Sequence, residues 1–294
     1  VFALLKAQQA DVDVSADVLN KGIQYLLTQI KNVREYRHYR HANQQAWLLY
    51  VLAEGDAAPQ DKLDELYDNR EKLSHYARAY LAQALWLGNP DDARLATLLS
   101  DLNNAAILSA TGAHWEEDNY DWWAMNTDTR STAIILDTMT KLDPDNALNP
   151  NIVRWLMVAR KTGIWETTQE TAWALIALTD WMVETGELDA NYDYALYLNE
   201  VEQATGSASR ETIRESTIET MPIADLLADT LNALTIARTE GPGRLYYTAH
   251  LEVYQPVENV EPADRGLMVQ RRYTLADCDE LNRANCPEVR EVKL

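Results

Sequence analysis

Residues 163–178 read GIWETTQETAWALIAL, a tight turn followed by a capped helix start and a run of small and aliphatic residues. Thr167, followed three residues later by Glu170, forms the capping box that marks a helix N-terminus. Weaker copies of the apolar run lie upstream and begin at Gln45, Arg78 and Thr132. A helical unit that recurs at this size cannot bury its own apolar side alone, so the units are expected to stack on one another.

Helices with two kinds of surface alternate before residue 190. Four segments are apolar nearly all round and are predicted to be buried on both sides: 43–53, 76–87, 129–141 and 169–184. Four other segments carry one polar face: 18–31, 60–72, 91–108 and 150–160. Two concentric layers require this alternation of fully buried and half-exposed helices. The pattern therefore predicts an all-helical α/α toroid, with a superhelical solenoid of helix pairs as the alternative.

The sequence pattern changes near residue 190. All nine tryptophans lie before this point, and after it the apolar period changes from 3.6 to 2. Alternating residues predict strands over 192–198 and 245–253, and 231–238 is predicted to pair with the second of these as a hairpin. A further strand pattern covers 267–275. The chain is thus predicted to be an α+β multidomain protein, with antiparallel β domains after the helices.

The chain is strongly acidic, with a formal net charge of −20 over 294 residues. Such a surface repels nucleic-acid phosphates and anionic lipid, so neither is an expected partner. No apolar run approaches the ~20 residues of a membrane span, and no signal peptide is recognisable. Because the first residue is Val1, the chain is expected to derive from a longer protein, and any membrane anchor would lie outside it.

Three blocks of sequence, in order, resemble one protein family. The first contains Ile152-Val153-Arg154-Trp155-Leu156 and, after it, Gly163-Ile164-Trp165 and residues 167–172. The second and third are residues 243–248 and 264–273. Together these blocks resemble the thioester domain and the β-rich regions that follow it in alpha-2-macroglobulin and complement proteins, and they are most similar to the bacterial members.

The resemblance implies a domain organisation and a function. It places an N-terminally truncated thioester-domain toroid at 1–190, a CUB-like β region at 191–258 and the start of a terminal macroglobulin or receptor-binding-like domain at 259–294. The toroid would be a six-pair ring that lacks its beginning. The intact protein would be an extracytoplasmic trap for proteases, periplasmic, membrane-anchored or secreted, and not an enzyme. Its partners would be proteases and the other domains of the same protein.

The chain departs from this family in its reactive element. The reactive Cys-x-Glu-Gln element, whose Cys and Gln condense to a thioester, is missing. The nearest run is CDEL at 278–281, but Leu281 carries no carboxamide and the run lies in the predicted β region. The resemblance therefore implies that this chain shields a thioester that lies upstream. No catalytic residue and no cofactor is expected in it.

The run WEEDNYDWW at 115–123 suggests a different function, because it interleaves carboxylates with indoles. Glycoside hydrolysis needs an acid that protonates the leaving oxygen and benefits from rings that stack on sugar faces. A carbohydrate-active enzyme that uses Glu116, Glu117 or Asp121 is the alternative. The competing interpretation is a loop whose tryptophans pack on the helices. A non-covalent protein-binding module is the remaining hypothesis.

Histidines and cysteines give weaker signals. The spacing of His38 and His41 could place two imidazoles on one helical face, with His75 completing a zinc site. The neighbouring arginines would repel a cation, so a solvated basic loop is favoured and no metal is expected. Cys278 and Cys286 are eight residues apart. They leave two alternatives, a short disulfide in an oxidising compartment or two free thiols.

Overall fold

The computed structural model describes residues 1–32, 35, 38–118, 121, 124–161, 163–212, 215–247, 249–252, 254, 273–275, 278 and 286–289. The chain divides into two compact units, Val1–Arg244 and Leu245–Leu294. The helices and strands named below belong to the first unit. In the second, an isolated antiparallel bridge joins Thr274 to Glu288.

Nine α-helices and five strands follow one another along the described part of the first unit. The helices are α1 Phe2–Gln9, α2 Ala16–Gln29, α3 Tyr39–Glu54, α4 Gln60–Tyr67, α5 His75–Gly88, α6 Arg94–Asn104, α7 Asp128–Leu142, α8 Asn149–Ala159 and α9 Thr168–Glu184. The strands are β1 Ile107–Ser109, β2 Gly112–His114, β3 Tyr192–Leu198, β4 Val201–Ala208 and β5 Leu234–Arg238. This composition confirms the predicted α+β class.

Helix starts follow the local signals in the sequence. Thr167 and Glu170 form the predicted capping box at α9: the Glu170 amide donates to the Thr167 hydroxyl at 3.1 Å, and the Thr167 amide donates to the Glu170 carboxylate at 2.8 Å. At α7 the hydroxyl of Thr127 accepts from the amide of Arg130 at 3.2 Å. Each cap satisfies backbone donors that have no partner inside the helix.

The helices form two layers. In the inner layer α3 packs on α5, α5 on α7, and α7 on α9. Outer helices cover them, with α4 against α3 and α5, α6 against α5, and α8 against α7. Helix α6 shows why an outer helix needs only one apolar face, since its buried residues Leu95, Leu98 and Leu102 follow the helical period. Inner helices α3, α5 and α7 are buried over most of their length, as predicted.

Aromatic rings fill the space between the inner helices. Trp47 of α3 lies 5.0 Å from Tyr80 of α5 and 5.9 Å from Trp173 of α9, measured between ring centroids. Tyr50 stacks on Tyr80 at 5.3 Å. Phe2 of α1 meets Trp47 edge-on at 5.1 Å. These distances are those of favourable aromatic pairs, and they place α1 with the inner layer.

Helix α9 does not meet the prediction that it is buried on both sides. Trp173, Ala174, Ala177 and Trp181 face the core, whereas the opposite side, which includes Leu175 at 54% and Val183 at 64% exposure, faces outward. The reason is that α9 packs on α7 along one side, whereas none of the described helices covers its other side.

The prediction that residues 1–190 are all helical is also wrong. Strands β1 and β2 form a short antiparallel hairpin where helix 91–108 was expected to end. Gly112 explains the break, because its φ of +135° is a conformation that only glycine adopts readily. A Cβ at this position would lie 2.2 Å from the carbonyl oxygen of Asn151 in α8, so the hairpin packs on that helix through bare backbone.

Three antiparallel strands form a sheet in the order β4-β3-β5. Strand β3 confirms the prediction for 192–198, but the hairpin predicted between 231–238 and 245–253 is wrong. Strand β5 pairs with β3, and the described residues of 245–252 form no strand. The turn after β5 folds back onto the start of β3, where the Asn191 amide donates to the Pro242 carbonyl at 3.1 Å.

The predicted domain boundaries stay predictions, although the compact units differ from them. The sheet that opens the predicted second region belongs to the same unit as the helices. The Arg244 guanidinium lies 4.8 Å over the Trp181 ring of α9. Most of the strand pattern at 267–275 lies outside the described residues, as does the boundary at residue 258.

We expect the Gly112→Ala variant to be less stable than the wild-type chain by about 1–3 kcal/mol, because it combines backbone strain with a clash against α8. Gly88→Ala is the matched control, since its added Cβ meets no atom within 4 Å and removes a flexible residue from α5. Urea unfolding followed by circular dichroism measures both. Equal midpoints for the two variants would contradict the packing of β1 and β2 described above.

Candidate functional site

The inner helices run parallel, so their N-termini share one end of the array. The Asn43 amide at the start of α3 donates to the Ser74 hydroxyl before α5 at 2.8 Å. Glu117 joins the starts of α5 and α7, as described below. At the opposite end, Lys141 of α7 contacts Asp180 of α9 at 3.2 Å. Partial positive charge from helix N-termini therefore collects at the end of the array where the candidate acid Glu117 lies.

Glu117 caps α5 and also binds a side chain of α7. Its carboxylate accepts from the backbone amides of His75 at 3.0 Å and Tyr76 at 3.1 Å, which are the first two residues of α5. The hydroxyl of Ser131 in α7 donates to the same carboxylate at 2.9 Å. A carboxylate that accepts amide hydrogen bonds at a helix N-terminus is a stabilising cap. Glu117 thus has a complete set of structural partners.

Asp121 and Glu116 have other partners. Asp121 is 3% exposed, and it accepts from the amide of Ala124 at 3.3 Å and from the hydroxyl of Tyr76 at 3.5 Å. Burial, followed by the charge of Asp121, raises the pKa of Tyr76 above its usual range. Glu116 is exposed and lies 3.2 Å from His114. The three acids therefore have different partners: Glu117 caps α5, Asp121 contacts Tyr76 and Ala124, and Glu116 contacts His114. Trp122 and Trp123 lie outside the described residues.

Arg130 is a buried charge that the sequence analysis missed. It lies in the first turn of α7, donates to the Asn126 side-chain oxygen at 2.8 Å, and stacks 5.1 Å over the Tyr76 ring. Its Nε is buried without a hydrogen-bond partner. The available signal was an arginine at the start of a segment that is otherwise apolar nearly all round. Arg130 ties the start of α7 to α5.

A second buried charge cluster lies at the C-terminal end of the inner helices. Asp137 of α7 accepts from Lys141 at 2.7 Å and from Gln83 of α5 at 2.9 Å. Lys141 also contacts Asp180 of α9. Burial raises the pKa of Asp137 to about 6, against the opposing charge of Lys141. Burial lowers the pKa of Lys141, but the two carboxylates outweigh it and raise that pKa overall.

Glu54 closes the same end of α3. It accepts from Lys6 at 2.8 Å, from Gln9 at 3.0 Å and from the Tyr50 hydroxyl at 2.7 Å. Burial alone would raise its pKa, but the hydrogen bonds from these three groups hold that pKa below its usual value. This carboxylate therefore attaches α1 to the end of α3.

The histidines do not converge. The ring centroids of His38 and His41 are 6.1 Å apart, whereas the amide of His75 donates to Glu117 at the start of α5. Across the part of the chain that the structure describes, no three His, Cys, Asp or Glu side chains are placed to hold a metal ion. The arrangement of the described residues therefore does not support the zinc site that was considered from the sequence.

The two cysteines are placed as a pair. The structure joins Cys278 to Cys286, with Cα atoms 6.1 Å apart, within the range of ordinary disulfides. The disulfide stays a prediction for the protein in solution, which intact mass measured with and without reductant would test.

No helix in the described ranges is long and apolar enough to cross a membrane.

Comparison with known proteins gives a likeness of fold. The sequence matches no protein-family profile and no curated protein. The structure is similar to that of a point mutant of Salmonella alpha-2-macroglobulin, with a TM-score of 0.51 and 18% sequence identity over 70% of this chain. It is also similar to Salmonella alpha-2-macroglobulin reacted with methylamine, with a TM-score of 0.51 and 16% identity over 71% of this chain. The chain spans 13% and 14% of those two proteins, and it shares the fold of that part of them.

We expect Glu117→Gln to lower the free energy of unfolding by about 1–2 kcal/mol, because a neutral amide is a weaker cap for α5 and presents donors to backbone amides. Glu116→Gln is the control for charge, and as an exposed substitution it should stay within about 0.5 kcal/mol of wild type. Urea unfolding of both variants provides the measurement. A larger loss for Glu116→Gln than for Glu117→Gln would contradict the capping role.

Proposed function

We propose that this chain is the scaffold and shield of a bacterial alpha-2-macroglobulin-like protease inhibitor. The observation that carries the proposal is the fold shared with two Salmonella alpha-2-macroglobulin structures. The sequence runs at 152–156, 163–165 and 167–172 resemble the same family independently of the fold. One of the Salmonella structures had reacted with methylamine, an amine that would attack an internal thioester.

The open side of α9 supports a ring of helices that continues beyond the described ones. Ala172, Leu175, Thr179 and Val183 are exposed and lie on one face, because they are spaced by three or four residues. The other three named inner helices, α3, α5 and α7, are each covered on more than one side. A further helix pair on α9 would bury this stripe and complete the toroid. That pair is where the family resemblance would place the Cys-x-Glu-Gln element.

In this proposal the chain contributes packing and not reactive groups. A thioester carbonyl survives only where water is excluded, and a layer of tightly packed helices provides such a surface. The residues in place for this task are the inner-layer aromatics, led by Trp47, Tyr80 and Trp173, which leave little room for solvent between α3, α5 and α9. The partners would be proteases, through the full-length protein, and its other domains.

The proposal also includes a division of the chain into domains and a location of the protein outside the cytoplasm. Residues 1–190 would be the thioester-domain-like toroid, 191–258 the CUB-like region and 259–294 the start of the terminal β domain. A periplasmic, membrane-anchored or secreted location is supported by the pairing of Cys278 with Cys286, since disulfides persist in oxidising compartments.

We expect the full-length protein to form a complex with an added endopeptidase that survives boiling in detergent. Such a complex is covalent, so denaturing electrophoresis detects it, and pretreatment with methylamine should abolish it while releasing one thiol per molecule. A complex that dissociates in detergent, together with no thiol release, would overturn the thioester mechanism and leave a non-covalent binding protein.

The continued ring predicts that one substitution has different effects in two contexts. Leu175→Gln should change the stability of the 294-residue chain by less than about 0.5 kcal/mol, because the side chain is exposed there. In the full-length protein it should cost about 2 kcal/mol or more, since a buried leucine would be replaced by an amide without partners. Thermal unfolding measures both. Equal, small effects would mean that α9 stays uncovered.

The structural contacts of Glu117 and Asp121 disfavour the carbohydrate-active alternative, which also makes a prediction of its own. It requires hydrolysis of some polysaccharide by this chain and loss of that hydrolysis in Glu116→Gln. A broad glycan panel on which the wild-type chain shows no activity would remove this alternative.

A further inference from the structure

Three inner helices meet at one buried carboxylate near their C-terminal ends. The Asp137 side chain is 0% exposed, and its two oxygens accept from Lys141 of α7 at 2.7 Å and from Gln83 of α5 at 2.9 Å. Asp180 of α9 contacts the same lysine at 3.2 Å. The only direct polar link between α7 and α9 in the described contacts thus consists of two carboxylates that share one ammonium group.

The charges at this position are unbalanced. Two carboxylates face one lysine, and the negative ends of the parallel helices point to the same region. Among the described residues, the two tyrosines that face Asp137 add no positive charge, since Tyr80 of α5 is neutral and Tyr50 of α3 donates its hydroxyl to Glu54. A proton on Asp137 removes the excess charge and lets its carboxyl group donate to Asp180, which lies within hydrogen-bond reach.

We propose that Asp137, Lys141 and Asp180 form a proton-controlled clasp that holds α9 to α7 more tightly in acid than at neutral pH. When Asp137 carries a proton, the clasp has a neutral net charge and an additional hydrogen bond to Asp180 across the helix interface. When both carboxylates are ionised, one negative charge stays uncompensated in a buried position and α9 is released more readily. The inference is independent of the proposed function.

The direction of the effect follows from the raised pKa of Asp137. Its usual value is 3.8, and in the folded chain it is about 6. Between these values the folded chain binds more protons than the opened chain, so its stability falls as the pH rises. The contribution of Asp137 is therefore fully present below pH ~4 and is lost as the pH rises through about 6. Lys141 stays charged throughout this window because its pKa is raised.

Hydrogen exchange of the backbone amides in the last turns of α9 tests the clasp. After correction for the intrinsic exchange rate, the opening equilibrium constant of the 294-residue chain should be about tenfold smaller at pH 5 than at pH 8. Amides of the outer helix α8 provide the internal control and should show little change. In Asp137→Asn the ratio of the opening constant at pH 8 to that at pH 5 should fall to about one. In Asp180→Asn this ratio should be clearly smaller than in the wild type.

Glu184→Gln is the matched control variant, because it removes an exposed carboxylate from the last turn of α9 and should keep the full ratio. A wild-type ratio near one would overturn the proposal, as would an unchanged ratio in Asp180→Asn. Because Asp180 is 39% exposed, that variant decides the question even where Asp137→Asn does not fold.

Discussion

The parallel alignment of the buried inner helices is the constraint on which the rest of the structure depends. It places unpaired backbone donors at one end of the array and unpaired carbonyls at the other, in partly buried surroundings. Side chains must satisfy the donors, and this accounts for Glu117 at α5, Thr127 at α7 and the Thr167–Glu170 pair at α9. The same alignment makes the opposite end electrostatically unfavourable for the carboxylates of Glu54 and Asp137. Each of these consequently lies within hydrogen-bond distance of a lysine.

The close packing of the inner layer sets what this region can do. Alanines at the helix contacts let the backbones approach, and rings such as Trp47, Tyr80 and Trp173 occupy the space that remains. Among the described residues this packing leaves mostly apolar contacts between the inner helices, which suits the shielding role proposed above.

The candidate acids show that one sequence pattern can fit more than one role. Carboxylates interleaved with tryptophans are typical of sugar sites, and Glu116, Glu117 and Asp121 matched that pattern. In the folded chain the carboxylate of Glu117 accepts hydrogen bonds from amides of α5, and the carboxylate of Asp121 accepts hydrogen bonds from Tyr76 and Ala124. The contacts with His75 and Tyr76 join residues about forty positions apart, so local spacing carries no information on them. The buried cluster at Asp137 was missed for the same reason, since its members come from three helices.

The sequence by itself determined the helices, the capping box at Thr167, the α+β class and strand β3, because each depends on the period and chemistry of neighbouring residues. Only the tertiary structure decided the rest. Strand β5 pairs with β3 because the turn after it docks on Asn191, and α9 is open on one side because the described helices cover only the other. Contacts with distant elements also determine which carboxylates cap helices, and burial raises the pKa of Asp137. No local pattern records that burial.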